Sequence, residues 1–344
     1  VLGICTRYCH HEAPQIGMRI ADWELDRGGE ASLFSTTKCP PRLDARWDKD
    51  VAATSKLRFT DWAEKCSTIL WTHVPHPEQI SWCTSRGINT VLYPLWHELQ
   101  DKDRTAIKLA NWVVSPSAES ARLIANRMGV RKSLGAPFDT GLPLTCKDER
   151  LKPNYIWVLL PLFDQEPYKT EGTAIEVAGR LLAARDDIVL TAIYNSSTIT
   201  SWAKRRLNDF RRFFGQRMRI IRSLPIARRP LVFRDHDLTM WPAHYDSACL
   251  TPLMSLTMST PVISFNFPPA SEFLTKENSV PVKCDGHYNR IGVPHVDPDY
   301  QLYERCLQNV VMNRDYLLSL QQSVLQGLDR RRTVFNDVLA RVIC

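Results

Sequence analysis

Asp246-Ser-Ala-Cys-Leu-Thr-Pro-Leu-Met254-Ser-Leu-Thr-Met-Ser-Thr-Pro261-Val-Ile-Ser-Phe-Asn266 is the stretch that decides the architecture. It opens as a loop with one carboxylate, continues as an apolar helical turn, and closes on a short run from Pro261 to Phe265 suited to a buried strand. Loop, helix and strand in immediate succession are the working parts of an α/β domain.

The same alternation runs through the rest of the chain. Val1 to Cys5 is an apolar run that predicts a buried parallel strand, Gly17 to Arg27 has helix-forming composition ended by Gly28-Gly29, and Ala31 to Ser35 resumes strand character. No Gly-x-Gly-x-x-Gly fingerprint marks this βαβ unit. Strands are expected at Thr68–Trp71, Thr90–Tyr93 and Trp112–Val114, with the clearest helix at Ala118–Met128, stopped by Gly129. Pro137 to Pro153 is rich in proline and charge and reads as an interdomain linker. The pattern then restarts with Tyr155–Leu160, a helix from Thr173 to Ala184 and a strand from Ile188 to Ile193. Two doubly wound domains are expected, residues 1–146 and 147–322, followed by a helical segment 323–344 that packs back on the first.

The 344 residues are enough for two cores, and 44% hydrophobic with 24% charged residues is the balance of a globular protein. No apolar run approaches a membrane span, and no leader pattern opens the chain, so a cytoplasmic protein is expected, in the host cytoplasm if the source is viral. The ten cysteines are scattered, several in apolar segments, which favours buried thiols over disulfides; a zinc site from Cys5, Cys9, His10 and His11 lacks a completing pair. The formal charge of +7 is concentrated between Lys204 and Arg234, where eleven basic residues are opposed only by Asp209. That bias suits a polyanion, nucleic acid first and an anionic membrane second; the plainer reading is a solvated helix face.

With those elements in order, the quoted stretch resembles the donor site of GT-B glycosyltransferases, a superfamily that includes glycogen synthases. Its pattern, Glu-Gly-Phe-Gly-Leu-x-x-x-Glu-Ala-x-Ala-x-Gly-x-Pro-Val, places Asp246 at the first glutamate, Met254 at the second and Thr260-Pro261-Val262-Ile263 on the closing strand. Three further anchors are similar: Asn111 to Ser117 with Glu119, Ala136 to Asp139, and His97-Glu98 after an expected strand. The resemblance implies an α/β, GT-B fold of two Rossmann-like doubly wound domains facing a central cleft. It implies transfer of a sugar from a nucleotide-sugar donor, a UDP-sugar foremost, to an acceptor hydroxyl.

The resemblance also assigns roles. Lys169 stands where the family has a diphosphate lysine, while Asp164 occupies the place of its arginine. Asp246 would hold sugar hydroxyls by charge-assisted hydrogen bonds, with the amides of Ser247, Ala248 and Cys249 toward the diphosphate. Met254 replaces the ribose-binding glutamate, leaving Ser255 as a possible substitute, since a thioether is at best a weak acceptor. His97 and Glu98 would serve the acceptor side, the histidine stabilising developing charge or the carboxylate acting as base; His73 and His76 are second candidates. Gly17 would let the first loop approach phosphate. No tightly bound metal is expected, on the reading that the chain lacks the Asp-x-Asp carboxylates of metal-dependent transferases with the other major fold, a reading revised below.

For the acceptor, the basic balance and the aromatics Trp71, Trp82 and Trp96 would suit double-stranded DNA bearing hydroxymethylated bases, as in the related phage DNA glycosyltransferases. Lipid-linked sugars and polysaccharide are the alternative acceptors. A noncatalytic polyanion-binding protein of the same fold is the second class of function, motivated by Met254 and the missing arginine.

Overall fold

Apolar runs without polar alternation form the central parallel strands of this protein, because helices on both sheet faces leave neither side for water. A computed structural model describes residues 1–6, 12–36, 45–54, 56–95, 99–130, 132–144, 154–162, 171–194, 199–224, 228–243, 246, 248–288 and 294–343. They divide into two units: Val1–Gly141 with Arg330–Cys344, and Leu142–Asn289 with Pro294–Asp329.

In the first unit the order is β1 (Leu2–Thr6), α1 (Glu12–Asp26), β2 (Ala31–Ser35), α2 (Ala45–Thr54), α3 (Phe59–Ala63), β3 (Thr68–Trp71), α4 (Pro77–Ser85), β4 (Asn89–Leu92), α5 (Arg104–Leu109), β5 (Trp112–Ser115), α6 (Ala118–Met128) and β6 (Ser133–Gly135). The strands form one sheet in the order β2-β1-β3-β4-β5-β6, parallel throughout. Every residue of β1 and β3 is buried. Trp71, expected at the surface, is 0% exposed in β3, because a central parallel strand has no solvent face.

The second unit runs β7 (Ile156–Leu162), α7 (Glu171–Ala184), β8 (Ile188–Tyr194), α8 (Ser201–Phe214), β9 (Met218–Arg222), α9 (Arg229–Arg234), β10 (Leu238–Trp241), α10 (Leu250–Thr257), β11 (Val262–Phe265) and β12 (Ser279–Val282). A hairpin of β13 (Asp285–Tyr288) and β14 (Pro294–Asp297) precedes α11 (Tyr300–Met312), α12 (Arg314–Ser323) and α13 (Leu328–Ile343). The second sheet is ordered β12-β11-β10-β7-β8-β9 and is also parallel. Counted from β7, this is the 3-2-1-4-5-6 arrangement of a dinucleotide-binding fold.

Gly17 lies inside α1 and not in the preceding loop, because the helix begins at Glu12. A Cβ there would come within 3.0 Å of Ile4 Cγ2 on β1, so the glycine serves close helix–sheet packing. Gly327, at φ +82°, separates α12 from α13.

From Arg330 onward, α13 is secured on the first unit by polar and aromatic contacts. Arg331 Nε donates to Phe138 O at 2.9 Å, Asn89 Nδ2 donates to Val342 O at 2.7 Å, and the Phe138 and Phe335 rings meet edge to face at 5.7 Å. Asp139 accepts from Arg19 Nη2 at 2.9 Å and Arg332 Nε at 3.2 Å, so one buried carboxylate joins α1, the chain leaving β6, and α13. Removing one partner from a buried ion pair leaves charge without compensation. Asp139→Ala is therefore expected to destabilise the first unit by about 3 kcal/mol, read as a lower urea midpoint at unchanged slope.

Candidate functional site

In an open parallel sheet, ligands bind beyond the carboxyl ends of the strands where the winding reverses. In the second unit this reversal falls between β7 and β10, which are paired neighbours. In the first it falls between β1 and β3. The loops leaving these four strands define where a ligand can sit on each unit.

The loop after β10 carries Asp246, which is 2% exposed. Its Oδ1 accepts from the amides of Ala248 and Cys249, both at 3.0 Å. These two amides, expected to face a diphosphate, are thus turned onto the loop's own carboxylate, which fixes the turn ahead of α10. Cys249, the residue at the start of α10, takes φ +51°, a left-handed conformation that costs a residue with a Cβ roughly 1–2 kcal/mol. Hydrogen bonds to a charged acceptor, each contributing about 1.5–3 kcal/mol, offset that strain. Ser247 lies outside the described residues.

All eight residues of α10 are buried. Met254 is among them, 7% exposed, and the helix has no polar outer stripe because the unit encloses it. Ser255, expected as a substitute for the ribose contact, is 0% exposed. Its Oγ lies 2.7 Å from Thr239 Oγ1 and donates to Thr260 O at 2.8 Å. The serine therefore fastens α10 to β10 and to the turn before β11, and its hydroxyl is spent inside the core. Sequence spacing placed it next to Met254 but could not show which side of the helix it occupies.

Lys169, on the segment after β7, lies outside the described residues. Where that segment enters α7, Glu171 accepts from Thr200 Oγ1 at 3.1 Å, and partial burial pushes its carboxyl above the ordinary range, with the threonine bond opposing the shift.

At the reversal of the first unit, Thr6 ends β1 and Thr72 follows β3; both are buried, and Thr72 Oγ1 donates to Thr6 Oγ1 at 2.8 Å. Neither stood out in the sequence, since a lone threonine after an apolar run has no distinguishing spacing. His73, next in line, is 6% exposed and lines a cavity of about 80 Å³ with Leu95, Leu99, Lys102 and Asp103. His97 and Glu98 lie outside the described residues, as does Trp96. His76 is exposed before α4, with Nδ1 3.6 Å from Glu78 Oε2, so this pair sits apart from the buried His73.

Three arginines of the basic run are held by residues distant in sequence. Arg206 pairs with Glu176 at 2.7 Å; Arg217 binds the carbonyls of Leu182 and Arg185 and lies 3.3 Å from Asp186. Arg219 stacks on Trp157 at 4.1 Å. Trp82, expected beside a nucleic acid, is likewise occupied, with Arg86 over its ring at 4.1 Å.

Four Asp-x-Asp triplets occur, at Asp48-Lys49-Asp50, Asp101-Lys102-Asp103, Asp235-His236-Asp237 and Asp297-Pro298-Asp299, so the expectation of metal-independent chemistry gains nothing from that pattern. One carboxylate of each has a local structural task. Asp50 accepts from Leu33 N, Asp103 from Gln100 N, Asp237 from Trp157 N and Asp299 from Leu302 N. Among the described residues no three histidine, cysteine or acidic side chains gather as a metal site.

No protein-family model and no curated protein matches the sequence. Solved structures do. The chain is similar to Anabaena Alr3699/HepE in complex with UDP-glucose, at 11% identity over 99% of this chain and 98% of that one, with a TM-score of 0.70. It is similar to a glycosyltransferase from Rickettsia africae, at 12% identity over 99% and 97% of the two chains and a TM-score of 0.69. A third match is WaaG, a glycosyltransferase involved in lipopolysaccharide biosynthesis, at 10% identity over 99% of each chain and a TM-score of 0.61. Together with the two strand orders, these likenesses show that the chain has the GT-B glycosyltransferase fold, as its motifs implied.

The internal bonding of Asp246 leads to a separable test. Asp246→Ala removes both loop bonds and is expected to cost about 3 kcal/mol or more. Asp246→Asn keeps an accepting oxygen without the charge and is expected to cost less, about 1–2 kcal/mol, with thermal and urea unfolding as the measure.

Proposed function

We propose that the protein is a glycosyltransferase that binds a nucleoside-diphosphate sugar, UDP-glucose or a close relative, on its second unit. The observation that carries this reading is the reversal between β7 and β10, with Asp246 on the loop after β10; Lys169 follows β7 in the sequence. The likeness to a chain solved with UDP-glucose supports the donor class.

In the reaction, an acceptor hydroxyl oxygen bonds to the anomeric carbon of the sugar. The bond from that carbon to the β-phosphate oxygen breaks, and the electron pair leaves with the nucleoside diphosphate. Lys169 neutralises charge growing on the leaving phosphate, the main demand of such a step. The carboxylate of Asp246 accepts hydrogen bonds from the sugar hydroxyls. On the acceptor side Glu98 takes the hydroxyl proton if the centre inverts; if it is retained, His97 stabilises charge on the sugar and the hydroxyl proton passes to the departing phosphate oxygen. The lysine and the carboxylate supply this chemistry with no metal in the proposed step.

The acceptor proposed is a glycan or lipid-linked sugar hydroxyl. Lipopolysaccharide is the context named for both WaaG and WaaB, and WaaB matches at a TM-score of 0.60. DNA carrying 5-hydroxymethylpyrimidines is the second reading, supported by the charge of +7. The burial of Trp71 and the pairing of Arg206 and Arg217 remove part of its basis.

Incubation with a panel of UDP-sugars should release UDP from at least one of them, and mass spectrometry of glycan and hydroxymethylated duplex acceptors should show which gains a hexose. Lys169→Ala is expected to lower kcat/KM by roughly 100-fold, the scale of losing one charge-stabilising donor. UDP release that persists in the Lys169→Ala, Asp246→Ala double variant would overturn the site assignment.

A further inference from the structure

The helix α8 has a conventional inner face and an unconventional outer one. Ala203, Leu207 and Phe210 are buried against the second unit, which is the contact that holds the helix in place. On its outer side Trp202 is 43% exposed and Phe213 is 81% exposed, the highest exposure of any large apolar side chain among the described residues. At 100° and 1.5 Å per residue, positions 202 and 213 stand nearly in line, roughly 16 Å apart along the helix. Arg205 and Arg212 form a parallel row beside them, also exposed. Asp209 is the one acid on this face, 3.8 Å from Arg212. Arg222, at the end of the neighbouring edge strand β9, reaches α8 through Asn208 at 3.3 Å and extends the basic surface.

Internal demands leave these groups over. Arg206 is fixed by Glu176 and Arg217 by Asp186, whereas Arg205 stays exposed and Phe213, edge to face with Phe214 at 4.9 Å, keeps most of its ring in water. The Trp202 ring lies near α7, where a Cβ on Gly172 would meet it at 3.6 Å, so one side of the indole is supported and the other is open. An aromatic row alongside an arginine row on an exposed helix is the chemistry of an interfacial surface. Apolar rings enter the boundary of headgroups and acyl chains, and the cations meet anionic lipid.

We propose that the outer face of α8 docks the protein on an anionic membrane surface, with Trp202 and Phe213 entering the interface and Arg205, Arg212 and Arg222 lying against lipid phosphates. The contact is peripheral; no helix of the described residues is long and apolar enough to cross a membrane. A membrane fits better than a nucleic acid because single-strand readers track the backbone in a basic groove, and α8 offers a convex helix with an outward phenyl ring. The proposal does not depend on the transferase reading, since α8 carries none of the residues assigned to transfer.

Flotation of the whole chain with phosphatidylcholine vesicles, with and without phosphatidylglycerol, tests it. The parent should float only with the anionic vesicles and progressively less as salt is raised. Arg205→Gln with Arg212→Gln should reduce partition by more than about ten-fold, since each arginine near an anionic surface contributes roughly five-fold. Phe213→Ser should also weaken binding, and should make the remainder more sensitive to salt. Both variants should melt with the parent, because these side chains are exposed. Failure of the parent to float, equal partition into neutral vesicles, or parental binding by both variants would overturn the proposal. A duplex-DNA shift lost in the arginine variant, with no vesicle binding by the parent, would overturn it in favour of a nucleic-acid surface.

Discussion

The reversal of winding in a parallel sheet is the constraint on which the rest of this structure depends. A parallel strand must be reached by a crossover, and crossovers have one hand, so a sheet covered on both faces has to change direction across its width. At that change two adjacent loops leave in opposite directions and open a crevice. In the second unit the strands concerned are β7 and β10, and the β10 loop must then enter α10 within a few residues. The position of Asp246 follows from this topology, independently of its chemistry.

The chemistry makes the loop keep its shape. Cys249 stands in a left-handed conformation where the resembling pattern has glycine, and the carboxylate of Asp246 holds the two amides that lead into that bend. An aspartate in this place serves the backbone before it serves a ligand. Its near-complete burial and two amide bonds make Oδ1 a structural oxygen. A shortened carboxylate, aspartate in place of glutamate, is suited to this arrangement because its oxygen reaches amides only two and three residues ahead.

What was legible in the sequence was what depends on neighbours along the chain. Continuous apolar runs identified β1, β3, β7 and β8, and Gly129 marked the end of α6; its start is set by Ser117, whose N-cap hydroxyl accepts from Ser120 N. Facing was less legible. Ser255 and Met254 are adjacent, and an enclosed helix lacks the polar stripe that would tell inside from outside, so the serine hydroxyl's partners, Thr239 and Thr260, could not be anticipated. Trp71 was misjudged for a related reason: a tryptophan at the carboxyl end of a strand suits a ligand-facing loop as well as a core. Gly17 shows the converse, a glycine chosen for packing in α1 that reads in sequence like a turn.

Charge was the least legible property, because partners of arginines are set by tertiary folding. The run from Lys204 to Arg234 looks uniformly cationic, yet Glu176, Asp186 and the end of α7 lie against it once β8 and β9 pair. Folding separates the run into residues that stabilise the second unit and residues that do not. Arg206 and Arg217 belong to the first group, held at ion-pair distance on partly covered surfaces. Arg205 belongs to the second, and Arg212, exposed and only 3.8 Å from the likewise exposed Asp209 of its own helix, adds to the same face that leaves Phe213 in water. Exposing that ring gains nothing for an isolated fold, and its alignment with Trp202 follows from an eleven-residue spacing that repeats close to three helical turns. Net charge alone could not distinguish the two groups; subtracting the internal pairs leaves a small aromatic and cationic surface as the part of the charge available to a partner.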